Sequence, residues 1–256
     1  MSGTVADARK ALGALGVCLP VSLTDPLSVD LHREAVGRLE RAGYRAVWTN
    51  EVIGKDALVL LATLLPATER MVFGTCIANI WARPAQTMNA AAAQLAQAYP
   101  GRIVLGLGVG YPEQAASVGR EFGSPLATMR DYLNGMNAQT WPPAPDAPYP
   151  RIIAANGPKM LALAGDLADG ALPAMSHPEF TADARQSLGP DKLLVVGMSV
   201  EVDRPDAAPI GALVREHLAA GADHVALLLP IGIEFDTGIR QLEDLAPALA
   251  GLAVRS

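Results

Sequence analysis

Three stretches of the chain gather residue types that can bind or react, and each stands where an apolar run gives way to a helical pattern. The first, "GTCIANIWARP" (Gly74–Pro84), places Thr75, Cys76, Ile77 and Asn79 in a connection that needs only Gly, Asn, Asp or Ser to connect. Cys76 is a candidate nucleophile, although no histidine stands near it in sequence to activate the thiol. The second, "GLGVGYPEQ" (Gly106–Gln114), has Gly106, Gly108 and Gly110 at alternate positions, which strips side chains from one strand face and lets a flat ligand or another backbone approach. Tyr111 and Glu113 follow directly. The third, "AANGPKMLALAGDLADG" (Ala154–Gly170), ends a strand in Asn156-Gly157 and opens a helix with Pro158-Lys159. Free N–H groups at such a helix start can hold an anion, and Lys159 adds a point charge. The plainer reading is that Asn156 caps the helix and Gly157 makes the turn. Among the histidines, His177 follows a strand at its carboxyl end and is kept as a candidate. His32, His217 and His224 fall mid-helix or at a strand start and read as structural. The chain has no HExxH, no His/Asp cluster and no carboxylate grouping with metal spacing, so no metal site is expected.

These residues need a scaffold that brings strand ends together. Apolar runs read as strands at Leu12–Leu19, Arg45–Thr49, Met71–Cys76, Arg102–Leu107, Arg151–Ala155, Ala168–Pro173, Lys192–Val202 and Asp223–Leu229. Helical patterns follow at Val29–Ala42, Asp56–Ala67, Pro84–Tyr99, Ala127–Ala138, Pro158–Ala168, Pro178–Leu188, Pro209–Ala220 and Thr237–Leu252. Eight βα units in 256 residues predict an α/β fold, a (β/α)8 TIM barrel over residues 1–256 as one domain, with a doubly wound sheet as the alternative. Glycines in "RAGY", "YPGR" and "AAGADH" stop helices, and Pro84, Pro158 and Pro178 start them. The proline-rich tract Thr140–Pro150 reads as an extended excursion. In a barrel of this kind the functional groups gather at the carboxyl ends of the strands, which adds Cys18, Pro20, Thr49, Asn50, Glu51, Pro173 and Met175 to the candidates.

Composition narrows the partners. Half the residues are hydrophobic, enough for one sizeable core, and the net charge of −6 carries no Lys/Arg run of the kind that grips nucleic acid. Apolar stretches such as Asp56–Ala67 break well short of the ~20 residues of a membrane span. Two cysteines without CxxC spacing and no charged-then-apolar leader fit a soluble protein of a reducing cytoplasm.

"GYRAVWTNEVIGKDAL" (Gly43–Leu58), the stretch from Glu69 to Leu133, "GPKMLALAGDLADGALP" (Gly157–Pro173) and "VREHLAAGADHVALLLP" (Val214–Pro230) resemble the luciferase-like monooxygenase superfamily. Within it they are similar to the coenzyme F420-dependent oxidoreductase branch. The resemblance implies the same barrel, a homodimer, and a deazaflavin, or in other branches FMN, lying across the carboxyl end. It implies a bulge after the third strand whose non-proline cis peptide supports the ring, aligned here with Cys76-Ile77. Thr75 and Asn79 flank that support, Gly108 and Gly110 leave room beside the ring, and Asn156-Gly157-Pro158-Lys159 meet the cofactor phosphate. The implied reaction moves a hydride between the ring and a small organic substrate. A non-catalytic flavin-binding protein and an FMN monooxygenase are the alternatives.

Two departures from the family pattern stand out. Relatives carry an acidic-His pair after the second strand and a glutamate after the fourth-strand glycines, where this chain has Glu51-Val52 and Tyr111. Glu51, Tyr111, Glu113 and His177 remain as candidate proton-transfer groups, with Glu51 equally readable as a loop brace. The second departure is a shortened segment between the seventh and eighth strands, Glu201–Leu218, which removes part of the usual pocket wall.

Overall fold

Among the described residues nine parallel strand segments form one sheet that closes on itself. A computed structural model describes residues 2–21, 27–200 and 207–252. The strands are β1 (Leu15–Cys18), β2 (Ala46–Thr49), β3 (Val72–Thr75), β4 (Ala78–Asn79), β5 (Ile103–Gly108), β6 (Arg151–Ala154), β7 (Gly170–Leu172), β8 (Leu193–Ser199) and β9 (His224–Leu228). Their order is β3-β2-β1-β9-β8-β7-β6-β5-β4, and a β3–β5 pairing closes the ring. Because β3 and β4 both pair with β5, they form one stave interrupted at Cys76-Ile77, which leaves eight staves. Around them lie α1 (Ser2–Leu12), α2 (Val29–Ala42), α3 (Ala57–Leu64), α4 (Ala85–Ala98), α5 (Pro112–Ser117), α6 (Pro125–Met136), α7 (Pro158–Leu167), α8 (Pro178–Leu188), α9 (Ala207–Ala219) and α10 (Phe235–Leu249). The (β/α)8 barrel expected from periodicity is the observed fold.

The strands are short and mostly buried, β1, β2, β3 and β5 along their whole length, since each has helices on one face and the barrel interior on the other. Helix ends follow local chemistry. Ser28 accepts from the Leu31 N–H to start α2, and Gly43 stops it at φ +103°, a left-handed geometry that favours glycine.

Three elements escape the sequence pattern. Leu12 closes α1 and is not the start of a strand; β1 begins only at Leu15, after Gly13 turns the chain at φ +66°. Val5, Ala8 and Leu12 lie on one helix face and pack with Ala46, Val72, Val104 and Leu193, so α1 plugs the amino end of the barrel. The others are α5 and β4. The predicted strand at Lys192–Val202 ends at Ser199, and Glu201 and Val202 lie outside the described residues. Of the crossover Glu201–Leu218, the described part from residue 207 is the single helix α9.

Trp48 fills the barrel interior without solvent exposure. Its indole Nε1 donates to His224 Nε2 at 3.0 Å, and His224 Nδ1 lies 2.8 Å from the Gly13 carbonyl. Only the neutral imidazole satisfies both contacts, with Nε2 accepting and Nδ1 donating. Burial accordingly depresses the His224 pKa to about 4. Since that lies below the unfolded value of about 6.5, the unfolded chain binds the extra proton first. Stability is therefore intact above pH 6.5 and falls as pH drops toward 4, by about 3 kcal/mol from this group. Urea denaturation at pH 7 and pH 4.5 measures the fall. His224→Gln, which keeps an acceptor and a donor without titrating, is expected to flatten it; an unchanged pH slope in that variant rejects the assignment.

Candidate functional site

The interruption of the third stave shapes the carboxyl mouth. β3 stops at Thr75 because that side chain turns to its neighbour: Thr75 Oγ1 donates to the Gly106 carbonyl at 2.7 Å and accepts from the Gly106 N–H at 2.9 Å. A Cβ on Gly106 would stand 2.0 Å from the Thr75 carbonyl oxygen, so only glycine fits there. Cys76 and Ile77, joined by a cis peptide, then step out of line, both partly exposed, before β4 resumes pairing. The step is pinned from β2, where the Cys76 N–H donates to Thr49 O at 2.8 Å and the Glu51 N–H donates to Ile77 O at 3.0 Å. Ile77 leans over Gly108, where a Cβ would come within 2.6 Å of Ile77 Cγ1. The glycine face read from sequence thus receives the Ile77 side chain at Gly108 and the Thr75 backbone at Gly106.

Glu51 braces this bulge. Its side chain is 3% exposed and Arg83's is 10% exposed. Oε1 accepts from Ala57 N at 2.9 Å and Arg83 Nη2 at 2.5 Å; Oε2 accepts from Asn79 N at 2.7 Å and Arg83 Nη1 at 3.3 Å. Arg83 also reaches Asp56 at 2.8 Å. Asn79 Oδ1 accepts from the Trp81 N–H, and the Trp81 indole donates to Val109 O. One carboxylate therefore ties the start of α3 to β4 and to the α4 entry, with both oxygens engaged.

Below the bulge stands a basic group beside two thiols. Lys55 Nζ donates to the buried Thr49 Oγ1 at 3.0 Å. Burial lowers its pKa, while Cys18, Cys76 and Glu51 pull the other way. Cys18 Sγ and Cys76 Sγ lie 3.1 Å apart. Beside them a cavity of about 300 Å³ is lined by Glu51, Lys55, Asn79, Trp81, Gln114 and Val118, among others.

A short stave, a bulge at the third strand and a mouth of this build accompany a specific sequence signature. That of the luciferase-like monooxygenase family matches residues 15–189. The chain belongs to that family.

Among relatives of this luciferase-like chain, a Mycobacterium tuberculosis protein named as a coenzyme F420-dependent oxidoreductase is 31% identical over 180 residues. The match covers 57% of this chain and 52% of that protein, so the chain spans about half the length of this relative. An F420-dependent secondary alcohol dehydrogenase in complex with an F420-acetone adduct superposes with TM-score 0.75 at 16% identity, over 93% of this chain and 99% of that one. The FMN complex of the oxygenating constituent of 3,6-diketocamphane monooxygenase from Pseudomonas putida gives 0.68 at 13%, over 94% and 99%. At these identities the structures speak for the fold.

The remaining candidates of this luciferase-like chain ring the mouth. Tyr111 and Glu113 are exposed at the start of α5, where the Tyr111 N–H donates to Gln114 Oε1 at 2.9 Å. His177 is exposed just ahead of α8. Among the described residues no hydrogen bond joins Tyr111, Glu113 or His177 to one another or to Glu51. Gly110, at φ +58°, has room for no side chain, as a Cβ would meet Gln114 Oε1 at 2.0 Å and Asn79 Nδ2 at 2.8 Å. Asn156 does not cap α7: Gly157 holds that position, and Asn156 Oδ1 accepts from Ala174 N at 2.9 Å, tying the β6 and β7 exits together. Pro158 opens α7, and Lys159 is exposed beside it. A larger cavity of about 710 Å³ lies under the proline-rich tract, next to Arg151 and Asp169 at the amino ends of β6 and β7, away from these residues.

Sequence reading passed over Lys55, Arg83 and the partnership of Cys18 with Cys76. Lys55 had a usable signal, a basic residue four positions beyond Glu51 in the β2 exit loop. The thiol pair had none, since 58 positions separate the cysteines.

Proposed function

We propose that the chain is an F420-dependent oxidoreductase whose own residues hold a deazaflavin over the Cys76-Ile77 bulge and orient a small organic substrate against it. The observation that carries this reading is the bulge: a backbone platform open to the mouth, fixed by Thr75 against Gly106 of β5, by Thr49 of β2 and by Glu51 just beyond it. A flat ring needs such a rigid, largely apolar floor, and Ile77 over Gly108 supplies one. When bound, the deazaflavin supplies a two-electron hydride. At the far side of the mouth, the amino end of α7 offers backbone N–H groups, and the exposed Lys159 has no partner among the described residues, which suits the cofactor phosphate. Lys55, a desolvated ammonium lining the cavity beside the bulge, joins Tyr111 and Glu113 as a candidate to hold or deliver a proton there. Glu51 holds the loops that carry them. The small-molecule substrate, a homodimer and a cytoplasmic setting complete the reading.

Absorption and fluorescence titration of the purified protein with F420 and with FMN tests it. Binding of F420 is expected; binding of FMN with none of F420 overturns it in favour of a flavin enzyme. Lys159→Ala is expected to weaken F420 binding by roughly tenfold, about 1.4 kcal/mol, and to leave the denaturation midpoint unmoved. Unaltered affinity removes Lys159 from the phosphate site.

A further inference from the structure

The two cysteines of the sequence come from separate βα units, yet they meet. Cys18 ends β1 and is buried; Cys76 leaves β3 at the bulge and is partly exposed to the mouth. Between these staves runs β2, whose Thr49 holds Cys76 and Lys55 together: its carbonyl takes the Cys76 N–H, and its hydroxyl takes Lys55 Nζ. The lysine ammonium is thereby held within electrostatic reach of both sulfurs.

We propose that Cys18 and Cys76 are a redox-active dithiol, a site at which hydrogen peroxide closes an intramolecular disulfide beneath the bulge, with Lys55 favouring the thiolate that starts the reaction. A thiolate is the reactive form, and a neighbouring ammonium stabilises it. The second thiol hydrogen-bonds the first: the Cys76 thiol is pushed up by its hydrogen bond with Cys18 and by burial, and Lys55 opposes that rise. Separation favours a bond between sulfurs over a bridging metal. Two thiolates on one tetrahedral metal at ~2.3 Å each stand roughly 3.8 Å apart, wider than the 3.1 Å found. Among the described residues no group of three or more His, Cys, Asp or Glu side chains gathers to complete such a site. Closure to a covalent S–S bond of about 2.0 Å asks for a shift of roughly 1 Å. The Cys76 N–H stays on Thr49 O, so the sulfur makes the approach by side-chain rotation.

In the first step a thiolate attacks one peroxide oxygen. The S–O bond forms, the O–O bond breaks, and hydroxide leaves as water with the thiol proton. In the second, the other sulfur attacks the sulfenic sulfur, the S–S bond forms, and the S–O bond breaks to give a second water with the remaining thiol proton. Two thiols have lost two electrons and two protons, and the peroxide has been reduced. A small-molecule dithiol reverses the change.

The test treats the full-length protein with hydrogen peroxide, quenches with iodoacetamide and weighs the intact chain. The wild type is expected to lose both alkylation sites together and two hydrogens, to stay monomeric on a non-reducing gel, and to recover both thiols with dithiothreitol. Cys18→Ser and Cys76→Ser are each expected to lack that product. Lys55→Met is expected to slow closure on the order of tenfold, and Lys55→Arg to restore it. Urea-unfolded wild type separates a built pair from two merely reactive thiols, and is expected to close at least ~10-fold more slowly, since its ends must first find each other. Two free cysteines after treatment, addition of oxygen without loss of hydrogens, cross-linking between chains, or equal rates folded and unfolded each overturn the proposal. An unslowed Lys55→Met removes the lysine from it.

Discussion

Glu51→Ala is expected to unfold the protein more readily by about 3–5 kcal/mol, read as a fall in the urea midpoint at constant slope. The carboxylate is buried, and it is the acceptor for Ala57 N, Asn79 N and both terminal nitrogens of Arg83. Removing it strands a guanidinium that is 10% exposed, leaving it Asp56, whose side chain is 45% exposed, and a contact with Met88 Sδ at 3.4 Å. Two backbone N–H groups lose their acceptor as well, and an unpaired buried donor costs about 1–3 kcal/mol. Glu51→Gln preserves the shape but turns an amide NH₂ toward one of those donors, so it is expected to lie between wild type and alanine. Asp56→Ala, at the exposed end of the same network, also removes the α3 cap that accepts from the Val59 N–H, and should cost about 1–2 kcal/mol. The contrast decides between two roles for Glu51. A carboxylate used only for proton transfer folds normally as alanine and loses only turnover, and a midpoint unchanged within error would establish that. A brace loses stability and cofactor affinity together, since one of those carboxylate bonds holds Asn79 N beside the bulge.

That choice marks where the sequence was legible. The βα period exposed all eight staves because each strand is buried on both faces and reads as a continuous apolar run, and Gly43 and Pro178 fixed helix ends through local backbone chemistry alone. α1 was missed although Val5, Ala8 and Leu12 follow helical spacing, for a helix that plugs the barrel looks from sequence like a lead-in to the first strand. α5 is six residues long and too short to show a period. Within the site, the bulge was legible through its odd composition and the family resemblance. The partners of Thr75 and Glu51 were not, because they lie 31 and 28 positions away on neighbouring staves. A polar residue at a strand end announces that it has a partner; only closure of the barrel says whether that partner is a ligand or the next strand.

Trp48 makes the same point from the interior, and Trp48→Ala is expected to destabilise by about 3–5 kcal/mol. The ring is fully buried and fills space beneath the mouth that its neighbours leave open: a Cβ on Gly74 would lie 2.2 Å from its six-membered ring. Truncation opens a cavity that the rigid barrel cannot collapse, and it leaves His224 Nε2 buried without its donor. Trp48→Phe keeps most of the volume and loses the hydrogen bond, for an expected cost of about 1–3 kcal/mol. Gly74→Ala alone forces its methyl against the indole and costs about 1–3 kcal/mol by overpacking. Joined to Trp48→Ala, the same methyl enters the vacated space and relieves part of the loss, so the double variant should be more stable than the sum of the singles by about 1 kcal/mol or more. Additive losses would show that the ring and the glycine do not share that space. Because Thr49, the next residue, accepts from Cys76 N and from Lys55, slack at Trp48 is transmitted to the floor of the mouth, and on the proposed F420 reading affinity for that cofactor should fall with stability in Trp48→Ala and recover in part in the double variant.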